Sequence, residues 1–258
     1  MELDHLVINT LRGMDDAARI FNALGFALTP RGYHSLGSIN HLAMEHRAYL
    51  ELVGVPDTGN QRQEVLDSPL GLSGLVFRTE DPDALYARLC GLGLEVSAPK
   101  SFSRPVEVEG VKHEARFRTV TLGPSVFPAG RVYFCQHLTP ELVWRFADMS
   151  HPNSFCAISG LMAQSPDPTA EATLYGKILG ATLEASGDAL LLRQGGFTLE
   201  LRQGDAFGFT RASLEFKDCA AISARAITTP GAEWQGTPAG GTLLIPSLDL
   251  ELDCRTPQ

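Results

Sequence analysis

Residues 3–9, Leu-Asp-His-Leu-Val-Ile-Asn, are apolar and β-branched and predict a strand with His5 in its middle. A helical pattern follows from Met14 to Leu24, with Met14, Ala17, Phe21 and Leu24 on one face, and Gly25 stops it. A later strand, Ala48 to Val53, carries Glu51 among apolar neighbours. A histidine and a glutamate set inside apolar strands are the most informative residues here. A buried charge is costly unless it is paired or bound to a metal.

The pattern recurs. Leu72-Ser73-Gly74-Leu75-Val76 and Ile158-Ser159-Gly160-Leu161-Met162 resemble Leu3-Asp4-His5-Leu6-Val7. Asp15-Asp16, Asp81-Pro82-Asp83 and Asp167-Pro168 then suit helix starts, where acidic side chains meet free N–H groups and a first-turn proline is tolerated. Each helix ends at a glycine: Gly25, Gly93 and Gly180. Counted from His5, Gly74 and Gly160, the intervals are 20, 19 and 20 residues. A fainter fourth copy starts at Ala212 to Phe216, with a helix from Cys219 to Ile227. Three strands are predicted after each helix; in the first copy these are Phe26 to Pro30, Ile39 to Met44 and Tyr49 to Val53. The last strand recurs as Thr198 to Leu201 and Asp249 to Leu252, and Val132 to His137 takes its place in the second copy.

The chain therefore reads as an α+β protein of four βαβββ units, about 1–56, 70–138, 154–203 and 208–254. Their curved mixed sheets pair into two lobes, 1–148 and 154–258, joined by Met149-Ser150-His151-Pro152-Asn153. Leu138 to Phe146, with Trp144, is expected to pack between the halves.

Over roughly residues 1–155 the sequence resembles the glyoxalase-like domain family of the vicinal oxygen chelate superfamily, the fold of glyoxalase I, extradiol dioxygenases and bleomycin-resistance proteins. The resemblance rests on Leu3-Asp4-His5-Leu6-Val7, Leu36 to Leu42, Tyr49-Leu50-Glu51-Leu52, Ser103-Arg104-Pro105, Arg116-Phe117-Arg118 and Tyr133 to His137. It implies a cup between paired units, with a divalent metal held by first and last strands. Residue by residue, His5 matches the first-strand ligand and Glu51 the last-strand ligand of unit one. Such a nitrogen and oxygen pair suits Zn, Fe, Mn or Ni. In unit two the first-strand position is Gly74, which cannot coordinate. The last strand leaves two registers open, because a slip of one residue exchanges the faces. With Gln136 inward, its amide oxygen is the third ligand; with Cys135 inward, His137 is the candidate.

Further polar residues extend the candidate site. Asn40 and His41 lie on a strand beside Glu51, so Asn40 is a candidate to hold a substrate oxygen and His41 or Glu51 to move a proton. Arg104, Arg116 and Arg118 are concentrated in unit two, and Arg116 and Arg118 share one sheet face. Arginine forks match carboxylates, so the cluster points to an anionic substrate. In the second half Glu200 and Glu251 keep the acidic position, but no histidine follows His151, and a second metal site is not expected.

Composition narrows the classes. The net charge of −9 and the scattered lysines and arginines argue against nucleic acid. No segment approaches the apolar length of a membrane helix, and the acidic opening Met1 to Asp4 does not resemble a signal peptide. Five cysteines without a CxxC pair fit reduced thiols and a cytoplasmic protein, monomeric or homodimeric. Two functions compete. One is a metal-assisted enzyme of the lyase or isomerase type acting on a small oxygenated anion. The other is a non-catalytic small-molecule binding or sequestering protein of the bleomycin-resistance type.

Overall fold

The computed structural model describes residues 1–257. Unit one is β1 (Leu3–Asn9), α1 (Met14–Ala23), β2 (Gly32–Tyr33), β3 (Ile39–Met44) and β4 (Tyr49–Gly54), followed by a single turn, α2 (Gln63–Leu66). Unit two is β5 (Gly71–Arg78), α3 (Pro82–Gly91), β6 (Lys100–Val108), β7 (Val111–Thr121) and β8 (Arg131–His137). Unit three is β9 (Phe155–Ser165), α4 (Pro168–Leu179), β10 (Leu183–Ser186), β11 (Ala189–Gln194) and β12 (Phe197–Gln203). Unit four is β13 (Gly208–Phe216), α5 (Cys219–Thr228), β14 (Glu233–Thr237), β15 (Gly240–Ile245) and β16 (Leu250–Arg255). All four units thus have the βαβββ order.

Local chemistry explains the helix starts. Asp81, Asp167 and Asp218 each cap a helix, accepting from the N–H of Ala84, Ala170 and Ala220. The first helix differs: Gly13 is its N-cap, and Asp15 and Asp16 lie in its first turn. There they favour the helix through its dipole rather than by capping. Gly25, Gly93 and Gly180 all have positive φ where the helices end. Residues 26–30 form no strand. Pro30 has no N–H to give a ladder, and the N–H of Ala27 donates to His151 Nδ1 instead.

The strands make two eight-stranded sheets, β2-β3-β4-β1-β5-β8-β7-β6 and β10-β11-β12-β9-β13-β16-β15-β14. In each, two units join through antiparallel first strands, β1 with β5 and β9 with β13. The N-terminal sheet also curls until its edges meet. Just beyond β2, Ser35 N–H donates to Ser103 O of β6 at 3.0 Å, and Ser103 N–H donates to Ser35 Oγ at 3.3 Å. No backbone hydrogen bond joins β10 to β14 among the described residues. The first sheet therefore encloses a cup, and the second stays open.

The helix-facing sides of both sheets share one continuous apolar core. Phe26 packs on Phe155 and Phe216 across the halves at ring distances of 5.5 and 6.2 Å. Phe127 stacks on Tyr175 at 3.7 Å. The chain changes sheets between His137 and Phe155, but the core does not divide there. Trp144 packs on Tyr49 and His137, behind the N-terminal cup rather than between the halves. His151 of the linker fastens onto the first half: its Nδ1 accepts from Ala27 N–H at 3.0 Å and its Nε2–H donates to Met44 O at 2.6 Å.

Burial lowers the His151 pKa below its ordinary 6.5, opposed by the bond to Met44. The fold thus holds the neutral imidazole, and an unfolded chain takes up a proton more readily. This contribution is present above about pH 6.5 and is lost as pH falls below it. His151→Ala should cost about 1–3 kcal/mol at pH 7.5, and the gap to wild type should narrow at pH 5. Urea unfolding at the two pH values checks this; a gap that widens in acid would contradict the assignment.

Candidate functional site

The cup inside the N-terminal sheet has a volume of about 420 Å³, within the range of small-molecule sites. Strand register explains what faces it. In β4, Tyr49, Glu51 and Val53 point inward; in β8, Arg131, Tyr133 and Cys135 do. His5 lies beside Tyr49 on one side and Val76 on the other, and Val76 lies beside Tyr133. The next row runs from Glu51 through Val7 and Gly74 to Arg131. A Cβ on Gly74 would come within 2.9 Å of Val7 Cβ, so no larger residue fits this position.

His5 is fixed on three sides. Its Nδ1 lies 2.6 Å from Asp4 Oδ1. A carboxylate can only accept here, so Nδ1 carries the hydrogen and Nε2 turns its lone pair into the cup. There Tyr133 OH donates to Nε2 at 3.0 Å, and Glu51 Oε2 lies 3.5 Å away. Tyr49 stacks on the imidazole with ring centres 4.4 Å apart.

Asp4 is 0 % exposed. A bulge in β1 between Leu3 and His5 lets it turn toward the same cluster. Its carboxylate accepts from His5, from His137 Nε2 at 3.1 Å and from Arg78 Nε at 3.3 Å. Burial pushes its pKa up, but His137 and His5 together hold it far below the ordinary carboxylate range. Asp4, Cys135 and His137 are, among the described residues, the group that brings three potential ligand atoms within 4.8 Å. The Asp4 carboxylate is already committed to two imidazoles and a guanidinium, and burial raises the Cys135 thiol well above its usual value. This trio therefore supports His5 from behind.

Glu51 completes the centre. Burial raises its pKa, but His5, His34, the Asn40 hydrogen bond and Arg131 together bring it below the ordinary value. Asn40 Nδ2 donates to Glu51 Oε1 at 2.7 Å, and its second hydrogen points to His34 Nε2 at 3.4 Å. His34 Nδ1–H donates to Ser38 Oγ at 2.9 Å. Burial pushes His34 down to about 4, so it is neutral at pH 7.

The structure brings together His5, Glu51, Asn40 and Arg104 from the residues that sequence singled out. It moves the others away. His41 alternates out of the cup: its Nδ1–H donates to Thr29 O and its Nε2 accepts from Arg31 Nε, so it cannot reach a substrate there. Gln136 faces the side opposite Cys135, and its amide donates to Glu80 O, which removes it as a ligand beside His5. His137 shares the Cys135 face but is bound to Asp4, one shell behind. Arg118 lies outside and forks onto Asp83 of α3, and Arg116 is exposed on the same outer face; Phe117 between them points inward. Tyr133 and Arg131 carried no candidate role in the sequence, and His34 only a place in a loop at the cup rim. The register that turns Cys135 inward also turns Tyr133 and Arg131 inward by period two.

The donors fit a divalent ion. His5 Nε2 is aimed by a carboxylate, as metal-bound imidazoles commonly are. Glu51 Oε2 lies 3.5 Å from it, so the two atoms would hold the ion together.

No curated protein sequence matches the chain. Among solved structures, a hypothetical protein from Staphylococcus aureus superposes with a TM-score of 0.66 at 12% identity, covering 98% of this chain and 99% of that one. The Mn(II)-bound glyoxalase from Novosphingobium aromaticivorans gives 0.59 at 13% identity, over 99% and 82%. A variant of homoprotocatechuate 2,3-dioxygenase from B. fuscum gives 0.57 at 15% identity, over 100% and 70%. At these identities the likeness concerns the fold, and that fold is the one of the vicinal oxygen chelate proteins. The sequence profile of the glyoxalase-like domain matches residues 3–179, more than half of the chain, and the chain belongs to that family.

Proposed function

We propose that this protein is an enzyme that binds a small oxygenated anion in the N-terminal cup and moves a proton on it, in a lyase- or isomerase-type reaction. The observation that carries this reading is the buried His5–Glu51 pair, 3.5 Å apart, with both groups open to the cup. A divalent metal held by His5 and Glu51, in place of the Tyr133 hydrogen on Nε2, would supply Lewis-acid polarisation of a substrate oxygen. The Mn(II) in the glyoxalase of similar fold supports that expectation. A single histidine at this centre favours proton transfer over the two-histidine iron chemistry of oxygenases.

The chain's own residues divide the remaining work. Glu51 is held ionised, with Oε1 tied to Asn40, and the lone pair that Oε2 keeps beside the ion can accept a substrate proton. Arg104 and Arg131 meet negative charge. Phe102 and Phe117, stacked at 5.1 Å, exclude water from one wall. Asp4 and Tyr49 keep His5 in one orientation.

Protein purified without chelators should carry close to one equivalent of Zn, Mn, Fe or Ni, and His5→Ala and Glu51→Ala should each lose it. Elemental analysis reads this directly. A wild-type protein that takes up none of these ions on loading would end the metal-assisted reading. Asp4→Asn should cost about 3 kcal/mol in urea unfolding, because Arg78 is left without its buried partner. It should also weaken metal binding about 10- to 100-fold, measured by equilibrium dialysis. A variant as stable as wild type would show that the carboxylate is not the anchor.

A further inference from the structure

Two arginines lining the cup make no hydrogen bond and no ion pair among the described residues, although Arg131 lies 5.8 Å from the centre of the Tyr133 ring. Arg104 is 7 % exposed, yet among the described residues its guanidinium makes no hydrogen bond and no ion pair. Arg131 is half-buried in the same condition, and its Nε is wholly enclosed without an acceptor. Burial lowers the pKa of both. Several other arginines in this acidic protein pair with acids: Arg78 with Asp4, Arg118 with Asp83, Arg211 with Glu251 and, in the cup itself, Arg62 with Glu64. An unpaired guanidinium largely withdrawn from water is costly, so two of them facing one cavity mark the places where a ligand brings negative charge.

The two lie at different ends. Arg104 is on β6, beside the seam where the sheet closes. Gly32 admits it: a Cβ there would meet Arg104 Cδ at 3.1 Å and collide with Asn40 Oδ1. Arg131 opens β8. Through β7 the register sets Arg104 opposite Ala115 and Tyr133 opposite Thr121. Those levels differ by six residues, about 20 Å along the strand. Arg131 lies a further step in the same direction. Their long side chains reach back toward the middle, where both feel the charge of Glu51. Between them apolar groups, Leu42, Val53, Phe102, Phe117 and Val143, surround the polar centre at His5, Asn40 and Glu51.

We infer that the ligand is a dicarboxylic acid with an apolar body, one carboxylate forked by Arg104 and the other by Arg131, its centre lying over His5 and Glu51. This rests on the reading of the cup as an anion site and adds the count and spacing of the charges. One carboxylate would leave one of the two guanidinium groups buried and unmatched. Each fork can make two charge-assisted bonds in a plane, which selects carboxylate geometry at both ends.

The test is calorimetric titration of the protein as purified, and again after loading with Mn²⁺. Linear dicarboxylates from succinate to suberate are compared with monocarboxylates of equal chain length. One dicarboxylate length should bind best, at least about tenfold tighter than its monocarboxylate counterpart. Arg104→Gln and Arg131→Gln should each bring dicarboxylate affinity down to the monocarboxylate level. Both variants should melt no lower than wild type, because each removes a charge that makes no ion pair in the fold. Equal binding of mono- and dicarboxylates at every length would overturn the two-ended ligand and leave the anion cup standing. Binding of neither class, with or without the ion, would overturn both. A large fall in melting temperature in either variant would show that its guanidinium has a structural role instead.

Discussion

Asp4 is the carboxylate on which the site depends. It sits wholly inside the protein and would be expelled or protonated if it were alone. Two imidazoles and a guanidinium keep it ionised, and it keeps them in place in return. The arrangement reaches the surface through Arg78, whose guanidinium lies 4.6 Å over the ring of Trp144. Trp144 in turn covers His137 and Tyr49. The segment after β8 is therefore part of the site's back wall, and the direction of one imidazole lone pair is set by contacts from three parts of the chain.

The two halves show how one architecture carries different electrostatics. In the N-terminal sheet the inward charges are left open to a cavity. In the C-terminal sheet the acidic position of the last strands persists, but each acid has an arginine beside it: Glu200 with Arg202, and Glu251 with Arg211. Those pairs neutralise one another on a partly exposed face, where they add little stability. The second half contributes mainly through the shared apolar core and through His151, which ties the segment after α1 to β3.

Much of the fold was legible because periodicity and turn chemistry act locally. Strand, helix and glycine recur at near-constant intervals, and Asp81 and Asp167 cap as their positions suggest. What escaped was set by sidedness and long-range pairing. Gln136 and His137 are adjacent in sequence, and only the pairing of β8 with β5 and β7 decides which of them faces inward. Asp4 gave no sign of its role, since a one-residue bulge turns it toward the cluster. His41 lost its candidate role to the same alternation that placed Asn40 in the cup. Arg116 and Arg118 do share a face, but it is the outer one, because Phe117 takes the inner. The unpaired state of Arg104 and Arg131 is invisible in a sequence that contains enough acids to pair with both.

Closure of one sheet and not the other has a consequence for how the molecule lives in crowded solution. The first sheet has its two edges tied together at Ser35 and Ser103, so they are not both open to another chain. The open one ends in β10 and β14, whose unpaired amides and carbonyls are a template for aggregation. Both edges are short, and both carry acid, Glu184 on β10 and Glu233 on β14; Gly236 breaks the regularity of the second. Brevity, like-charge repulsion and a distorted backbone make poor templates, so the half that stays open is guarded at its rims against polymerising through its sheet.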